Sequence, residues 1–391
     1  MGPVSNRTVA ALSALSAASV SWLAWHVSPA LVPLTILFPA LALNQRSRIA
    51  ATGVALAYYS VSSFPVVQIS SGYFGVANIL PSVLLWALAS AILALPWIIP
   101  WRRDRDQDAW RLPAALLIIT VPPIGIIGWA SPLTGAGVLF PGLGWYGILL
   151  VAVACVAVAS QWWNVAIAVA LAALAANLSY KGPRPPRSTW VAVNTEFGSI
   201  QASDDPTIEF SVAEQIQRTA LDIDRRVIVF PELVVRRWGE STDLFWGPTL
   251  DKLRARGNTV LVGARSASSV SPDEYRNTVV IRGADEPSRF EQRIPVPLAM
   301  WKPWGGKDRV PLNLFGTPTV ELAGDRAAIL ICYEQLLPWS YLSALWHRPT
   351  VIVGLSNATW TKATVIPRNQ SGALRAWGRL FGLPIISAIN Y

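Results

Sequence analysis

A cysteine and two glutamates follow apolar runs in the C-terminal half of the sequence. Cys332 comes directly after AAILI, Glu334 lies shortly beyond it, and Glu232 follows RVIVFP. A thiol near its free pKa of about 8.5 is mostly protonated at neutral pH, so a nucleophilic cysteine needs a base or a cation nearby. Cys332, beside a carboxylate, is therefore either a nucleophile or a small buried residue.

Each candidate also has a purely structural interpretation. A free cysteine at a strand end is commonly a buried hydrophobe. Glu232 could cap a turn or form an ion pair, because a buried carboxylate is costly unless it is paired. Glu334 could pair with an arginine, and Asn357, after VIVGLS, could satisfy backbone groups in a turn. These alternatives stay open at the level of single residues.

The elements that position these residues alternate between strands and helices. Apolar, β-branched runs predict strands at 190–195, 226–233, 258–265, 277–283, 327–334, 349–358 and 384–390. Helical periodicity predicts helices at 211–223, 337–346 and 370–382. The alternation indicates a layered α/β domain with mixed sheets. In such sheets functional groups lie at the carboxyl ends of strands, where Glu232, Cys332 and Asn357 are found.

The first 180 residues have a different composition. Only 14% of the chain is charged, against about 25% in soluble proteins, and residues 1–180 are almost free of Lys, Asp and Glu. A membrane-spanning helix needs about 20 mostly apolar residues. We expect about seven spans, near 8–27, 28–43, 49–69, 78–100, 113–130, 143–160 and 162–178. The predicted organisation is a polytopic α-helical membrane domain at 1–180, a Pro-rich linker at 181–188 and the α/β domain at 189–391.

Basic residues near the predicted spans give an orientation. Lys and Arg are enriched on the cytoplasmic side, and the arginines fall on alternate sides of the spans: Arg7, Arg46, Arg48, Arg102, Arg103, Arg105 and Arg111. The intervening loops at 70–78 and 131–142 carry no charge and are expected outside. Seven spans then place the α/β domain on the outer face. The cluster Lys181, Arg184 and Arg187 favours the reverse, which a single span over 143–178 would produce.

Several functional classes receive little support from the sequence. The net charge of +9 comes from scattered arginines, without a basic helix or zinc-finger spacing, so nucleic-acid binding is not expected. Two cysteines and two histidines make a Cys/His metal site improbable. No cofactor fingerprint is present. The spans lack the ion pairs or rows of acids that mark a transport path, which disfavours a transporter.

The motifs FPEL, ICYE and LSNATW, in this order and at strand ends, resemble those of the nitrilase or carbon–nitrogen hydrolase superfamily. With the membrane half in front, the chain is similar to apolipoprotein N-acyltransferases, and most of all to a family of conjugal-transfer proteins of Ti-type plasmids. The resemblance implies an αββα sandwich, here expected to be shortened at its carboxyl end. It also implies a multi-pass protein of the bacterial inner membrane with a periplasmic C-terminal domain.

The resemblance implies a Glu–Lys–Cys triad, with Glu232 as general base and Cys332 as nucleophile. Glu334 matches a second carboxylate beside the site. The acyltransferases place their lysine in a Tyr-x-Lys segment before Leu-Val-Pro-Phe-Gly-Glu, and the matching run here is FEQRIPVPLAMWKP. This register puts Gln292 at the lysine position, and strand alternation directs Arg293 to the opposite face. A neutral amide donates a hydrogen bond but supplies no charge, which leaves an active enzyme and a catalytically impaired scaffold as alternatives.

The same resemblance implies a pocket around the triad. Tyr333, Asn357, Trp301 and Lys302 are its expected members, and Lys302 or Lys307 could reach in from the loop, although the register does not predict this. The aromatic segments 236–247 and 300–306 are expected to be loops that form a lid admitting a lipid chain. The implied partners are membrane lipid, a lipid acyl donor, an amine acceptor and the conjugation machinery.

Overall fold

The computed structural model describes residues 5–74, 79–99, 101, 108–198, 206–285 and 287–391. Arg102, Arg103 and Arg105 of the predicted cytoplasmic cluster, and 75–78 of one uncharged loop, lie outside this range. The chain divides into two compact units. The first unit contains Met1–Pro183, Leu336–Trp339 and Ala363–Gly382, and the second contains Arg184–Gln335, Ser340–Lys362 and Leu383–Tyr391.

The N-terminal half is helical, as its composition predicts. Ser5 and Ser47 cap two of its helices through their side-chain oxygens, which accept hydrogen bonds from Thr8 and Ala50. The α-helices are α1 (Asn6–Trp22), α2 (Leu37–Leu43), α3 (Arg48–Ser62), α4 (Pro65–Phe74), α5 (Leu80–Ile98), α6 (Asp108–Thr120), α7 (Ala136–Leu139), α8 (Trp145–Ala159) and α9 (Trp163–Ser179). A π-helical turn at Leu23–Val27 continues α1, and a 3-10 helix at Pro29–Ile36 precedes α2.

Among the described residues, two helical segments are long and apolar enough to cross a membrane, Asn6–Val27 and Leu80–Ile98. A third candidate is the pair Arg48–Ser62 and Pro65–Ser71, whose axes differ by 48°. The other apolar helices are shorter: Pro29–Leu43, Trp110–Thr120, Trp145–Ala159 and Trp163–Ser179. Helix α6, for example, ends ten residues before the predicted end of its span, because Pro122 and Pro123 cannot continue the hydrogen-bond ladder. These helices support membrane association, and the number of spans stays a prediction.

One helix of the C-terminal half belongs to the first unit. It is α13 (Ile366–Phe381), which lies between two strands of the second unit in the sequence. Its small residues allow close approach: a Cβ added to Gly372 would lie 2.7 Å from Cβ of Pro29. A Cβ on Gly137 of α7 would lie 1.7 Å from the carbonyl oxygen of Ala376. Helix α13 is therefore packed closely against helices of the N-terminal half.

The second unit contains two mixed sheets. The strands are β1 (Trp190–Ala192), β2 (Val227–Val229), β3 (Val235–Trp238), β4 (Thr259–Ala267), β5 (Tyr275–Gly283), β6 (Ser288–Glu291), β7 (Thr319–Leu322), β8 (Asp325–Ile331), β9 (Val351–Asn357) and β10 (Ile385–Asn390). The first sheet has the order β1-β2-β4-β5-β6, with β3 paired to β4, and the second has the order β10-β9-β8-β7. Strands β1, β2 and β4 are parallel, as are β8, β9 and β10, while β5, β6 and β7 run antiparallel to their neighbours. The predicted order, helices first and then an α/β region, is confirmed.

Both sheets contribute to one apolar core. One cluster of buried side chains takes members from the two sheets: Val227, Val229, Leu261, Val279, Ile281, Ile329, Ile331, Val351, Val353 and Leu355. The other helices of this half are α10 (Pro206–Asp222), α11 (Glu240–Ala255) and α12 (Pro338–Leu345). A second cluster joins α10 and α11 to alternate residues of β2 and β4. Alternate residues of a strand point to opposite faces, so the first sheet has helices on one face and the second sheet's core on the other.

The segment 236–247 is not the lid loop that the sequence predicts. It forms β3 and the first half of α11, and the rings of Trp238 and Trp246 are fully buried in the core, 5.0 Å apart. Burial of these large apolar rings stabilises the fold more than their exposure in a loop would. Trp304, in the other aromatic segment, is 69% exposed.

Candidate active site

Cys332 lies where β8 ends and a 3-10 turn, Cys332–Leu336, begins. Its φ of +48° is in the left-handed region, which few residues other than glycine adopt. Such a conformation is energetically costly and persists only where the surrounding structure holds it in place. The side chain is buried, and its thiol donates a hydrogen bond to the carboxylate of Glu232. The structure thus brings together the two residues that the sequence places at separate strand ends.

Glu232 follows β2 and is also buried. Its Oε1 accepts a hydrogen bond of 2.7 Å from Nδ2 of Asn277, and its Oε2 accepts one of 3.0 Å from the backbone N–H of Asn357. Burial raises the pKa of Glu232 to about 7, although the hydrogen bonds from Asn277, Cys332 and Asn357 oppose this shift. A carboxyl group with this pKa exchanges protons near neutral pH, as a general acid–base catalyst must.

A glycine allows the turn that presents Glu232. Gly263 of β4 donates its N–H to the carbonyl of Pro231 at 3.1 Å. A Cβ at Gly263 would lie 2.3 Å from that carbonyl oxygen and 2.5 Å from Cα of Glu232. The next residue, Leu233, has a φ of +53°. The backbone on both sides of the carboxylate is therefore held in one tight conformation.

Gln292 is connected to Glu232 and to the residue before Cys332 by hydrogen bonds between amide groups. It follows β6 directly, and its Oε1 accepts a hydrogen bond of 3.0 Å from Nδ2 of Asn277. Its Nε2 donates to the carbonyl oxygen of Ile331, at 3.2 Å, the residue before Cys332. The same Asn277 amide group contacts Glu232. A chain of hydrogen bonds thus runs from Glu232 through the neutral amides of Asn277 and Gln292 to the carbonyl oxygen of Ile331, the residue before Cys332.

Glu334 pairs with an arginine, one of the two roles that the sequence leaves open. Its carboxylate accepts hydrogen bonds from the backbone N–H groups of Ile331, at 2.9 Å, and Arg293, at 3.0 Å. The guanidinium of Arg293 lies 3.6 Å from the same carboxylate, and both side chains are buried. Burial raises the pKa of Glu334 and lowers that of Arg293, while their mutual attraction opposes both shifts. This pair fixes the turn that carries Cys332, and Arg293 is not a substitute for a lysine beside the thiol.

The remaining predicted members of the pocket are dispersed. Asn357 is in the site, but through its backbone N–H to Glu232. Tyr333 is buried next to Cys332, and burial raises the pKa of its hydroxyl well above the usual value. Trp301 is partly buried directly after a turn, where its backbone N–H donates to the carbonyl of Val296. The amine of Lys302 donates to the carbonyl of Lys307 in an exposed segment, so the structure records no contact of Lys302 with Glu232.

The arrangement supports proton transfer between a thiol and a carboxyl group. Glu232 is placed to accept the proton of Cys332, and both groups are shielded from water. The donors around them, Asn277, Gln292 and the Asn357 N–H, are neutral. Among the described residues, no group of three His, Cys, Asp or Glu side chains could hold a metal ion. Asn277, which no sequence motif indicates, is a central contact of Glu232.

The raised pKa of Glu232 predicts a pH dependence of stability. An ordinary glutamate has a pKa of 4.5, and Glu232 has one of about 7. The folded protein therefore binds the proton more tightly than the unfolded chain, so this contribution is present below pH 4.5 and is lost as pH rises to about 7. We expect a loss of roughly 2–3 kcal/mol over this window.

The measurement is the thermal midpoint in detergent at several pH values for the wild type and Glu232→Gln. The variant cannot titrate at this position, so its midpoint should fall less between pH 5 and 8. Parallel curves for the two proteins would contradict the assignment of the raised pKa to Glu232.

Comparison with known proteins decides the family. Conjugal transfer protein TraB of Agrobacterium fabrum (strain C58 / ATCC 33970) is 32% identical, over 98% of this chain and 94% of that protein. The probable conjugal transfer protein TraB of Sinorhizobium fredii (strain NBRC 101917 / NGR234) is 30% identical, over 95% of each. This chain belongs to the TraB family of conjugal transfer proteins. The resemblance to plasmid conjugal-transfer proteins, expected from the sequence motifs, is confirmed.

No model of a protein family matches this TraB-family chain. Among solved structures, the carbon-nitrogen hydrolase from Helicobacter pylori G27 aligns over 52% of this chain and 71% of that one, with 11% identity and a TM-score of 0.37.

Proposed function

We propose that this TraB-family protein is a membrane-anchored, thiol-dependent acyl-transfer enzyme of the carbon–nitrogen hydrolase type. The observation that carries the proposal is the hydrogen bond between the buried side chains of Cys332 and Glu232. A purely structural cysteine gains little from a buried carboxylate, and the carboxylate is costly to bury there. The amide network and the strained backbone at Cys332 give further support.

In the proposed reaction, Sγ of Cys332 attacks the carbonyl carbon of an ester or amide as its proton passes to Glu232. The tetrahedral intermediate collapses when Glu232 returns that proton to the leaving alcohol or amine, which leaves a thioester on Cys332. An acceptor amine then attacks the thioester, loses a proton to Glu232, and departs as the acylated product. The thiolate regains its proton from Glu232, so both residues end as they began. Water in place of the amine would give amidase activity.

The setting of this chemistry is also part of the proposal. We place the N-terminal half in the bacterial inner membrane with about seven spans, and the α/β half, an αββα sandwich, on the periplasmic face. Two or three helices of spanning length support membrane association of the N-terminal half, and the two mixed sheets with their shared core support the α/β half. The acyl donor is then a membrane lipid, the acceptor an amine, and the product serves the conjugation machinery. Domain limits of 1–180, 181–188 and 189–391 go with this arrangement, although α13 packs in the first unit.

One observation favours a second function. The contacts of Gln292, Asn277 and Ile331, are neutral, at a position where the sequence resemblance implies a lysine in acyltransferases. Without a cation, the oxyanion of the intermediate is stabilised less, often by about 3–4 kcal/mol. The second candidate is therefore a catalytically impaired relative that acts as a membrane scaffold in conjugal transfer.

Reactivity of the Cys332 thiol separates the two functions. Purified protein in detergent with lipid is treated with iodoacetamide across pH, and the modified fraction is measured by mass spectrometry. A Cys155→Ala background leaves one thiol, Cys332→Ala is the blank, and Glu232→Gln removes the base. We expect rapid labelling at neutral pH that falls at least tenfold in Glu232→Gln. Labelling at the rate of a free thiol, unchanged by Glu232→Gln, would reject the enzyme and favour the scaffold.

A further inference from the structure

Asn277 is a buried residue whose side chain hydrogen-bonds to both Glu232 and Gln292. It lies near the start of β5 and is 1% exposed. One nitrogen, Nδ2, donates both to Oε1 of Glu232 at 2.7 Å and to Oε1 of Gln292 at 3.0 Å. The backbone carbonyl of Asn277 also accepts a hydrogen bond from the backbone N–H of Gln292 at 2.8 Å. Asn277 therefore fixes both side chains from one position on the sheet.

The two donors of one amide group have fixed directions, because the group is planar. When both are used, the oxygens of Glu232 and Gln292 must face the same nitrogen. This constraint leaves Nε2 of Gln292 pointing away from Asn277, towards the carbonyl of Ile331, where its hydrogen bond is found. The orientation of Gln292 beside the thiol is thus determined by Asn277.

The other atom of the same amide is evidence that stability alone does not explain Asn277. Its Oδ1 is buried and has no hydrogen-bond partner among the residues that the structure describes. A buried acceptor without a partner destabilises a fold. Where a buried polar atom lacks a hydrogen-bond partner, the residue is commonly found at a functional site. Here the arrangement is the pair of hydrogen bonds to Glu232 and Gln292.

We propose that Asn277 is the positioning residue of this site, which holds the Glu232 carboxylate beside Cys332 and orients Gln292, so that an amide pair takes the place of a cation. The inference rests on the proposed function for its catalytic meaning. Asn277 itself need not contact substrate. Its hydrogen bond favours the ionised form of Glu232, opposing the burial that disfavours it. Besides Asn277, the groups that affect Glu232 are Cys332, the Asn357 N–H and the like charge of Glu334.

The test reads the Glu232 carboxyl group directly, independently of activity. Isotope-edited infrared titration, with Glu232→Gln as the blank, gives its pKa in the Cys155→Ala background. Asn277→Ala should raise this pKa by about one unit and slow iodoacetamide labelling of Cys332 about tenfold at neutral pH. Asn277→Asp, which keeps the size but cannot donate and adds like charge, should raise the pKa further. If Asn277→Ala does not fold, the titration and labelling of Asn277→Asp provide the test.

Two further variants distinguish positioning from simple packing. Asn258→Ala is the matched control, since Asn258 is also a buried asparagine whose side-chain nitrogen has no hydrogen-bond partner among the described residues, away from Glu232. It should leave both the titration and the labelling unchanged. Asn277→Ala combined with Gln292→Lys should recover both, because the lysine amine can donate to Glu232 instead.

The outcomes for the inference and for the proposed function are separate. A Glu232 titration that is the same in Asn277→Ala and Asn277→Asp as in the parent overturns the inference, whatever the thiol does. A shift in both variants but not in Asn258→Ala supports it. Slow, base-insensitive labelling of the parent protein rejects the proposed function and leaves the infrared result to decide the role of Asn277.

Discussion

Replacement of Gln292 by lysine is expected to accelerate acylation of Cys332 by about a hundredfold. The Nε2 atom of Gln292 lies 3.2 Å from the carbonyl oxygen of Ile331, next to the thiol, and the Asn277 amide connects Gln292 to Glu232. A lysine amine at this place would supply the positive charge that the site lacks. That charge stabilises the oxyanion of the tetrahedral intermediate and the thiolate that precedes it. It should also lower the pKa of Glu232 from about 7 towards its ordinary value.

The measurement is the rate at which p-nitrophenyl acetate acylates Cys332, followed by intact-protein mass spectrometry. Gln292→Met is the matched control, because methionine has a similar length but neither charge nor a strong hydrogen-bond donor. It should be several-fold slower than the wild type, whereas Gln292→Lys should be faster. If lysine gives no increase over glutamine, the charge is not what limits this site. If methionine equals glutamine as well, Gln292 has no part in the chemistry.

A single methyl group on Gly263 is expected to remove most of the Glu232-dependent reactivity of Cys332. The added Cβ would lie 2.3 Å from the Pro231 carbonyl oxygen and 2.7 Å from the Leu233 nitrogen. These contacts are with backbone atoms, which cannot rotate away, so residues 231–233 must shift as a unit. A displacement of about 1 Å in a catalytic group can reduce a rate about a hundredfold. The same overpacking should destabilise the fold by about 1–3 kcal/mol.

The comparison for Gly263→Ala is Gly247→Ala in α11. The two substitutions add the same methyl group, but a Cβ at Gly247 meets nothing within 4 Å. Alanine there should be neutral or slightly stabilising, since it favours helix. The two variants are compared by thermal midpoint and by iodoacetamide labelling at neutral pH. Wild-type labelling in a folded Gly263→Ala protein would show that the turn at Glu232 has more freedom than its backbone contacts indicate.

The sequence predicted those residues of the candidate site that lie at the carboxyl ends of parallel strands. Asn357 is the last residue of β9, and Glu232 and Cys332 follow the ends of β2 and β8. The carboxyl ends of parallel strands commonly carry functional groups. Asn277 was missed because β5 is antiparallel to β4. Its amino end pairs with the carboxyl end of β4, where Asn277 lies opposite Arg265. An asparagine that opens an apolar run looks like an ordinary strand start, and only the sheet order reveals its position in the site.

Two other features of the fold also depend on tertiary contacts that the local sequence does not reveal. Trp238 and Trp246 follow a strand and stand among polar and glycine residues, a pattern typical of a loop, yet their rings complete the core between α11 and the first sheet. Tertiary packing overrides local composition here, which one segment of sequence cannot show. The partner of Glu334 was likewise not identifiable, because Arg293 reaches it from a position 41 residues away in the chain.

The placement of α13 has a consequence for biosynthesis. The first unit includes Ala363–Gly382, so the ribosome must pass residue 382, about 200 residues beyond Pro183, before the unit has all its parts. Until then, the small-residue surfaces around Gly137 and Pro29 lack the helix that packs on them. The N-terminal half of the sequence thus does not encode the complete first unit. A chain truncated after the linker, and equally a fragment that begins there, would each emerge with an unpaired helical surface, a recognisable substrate for quality-control proteases.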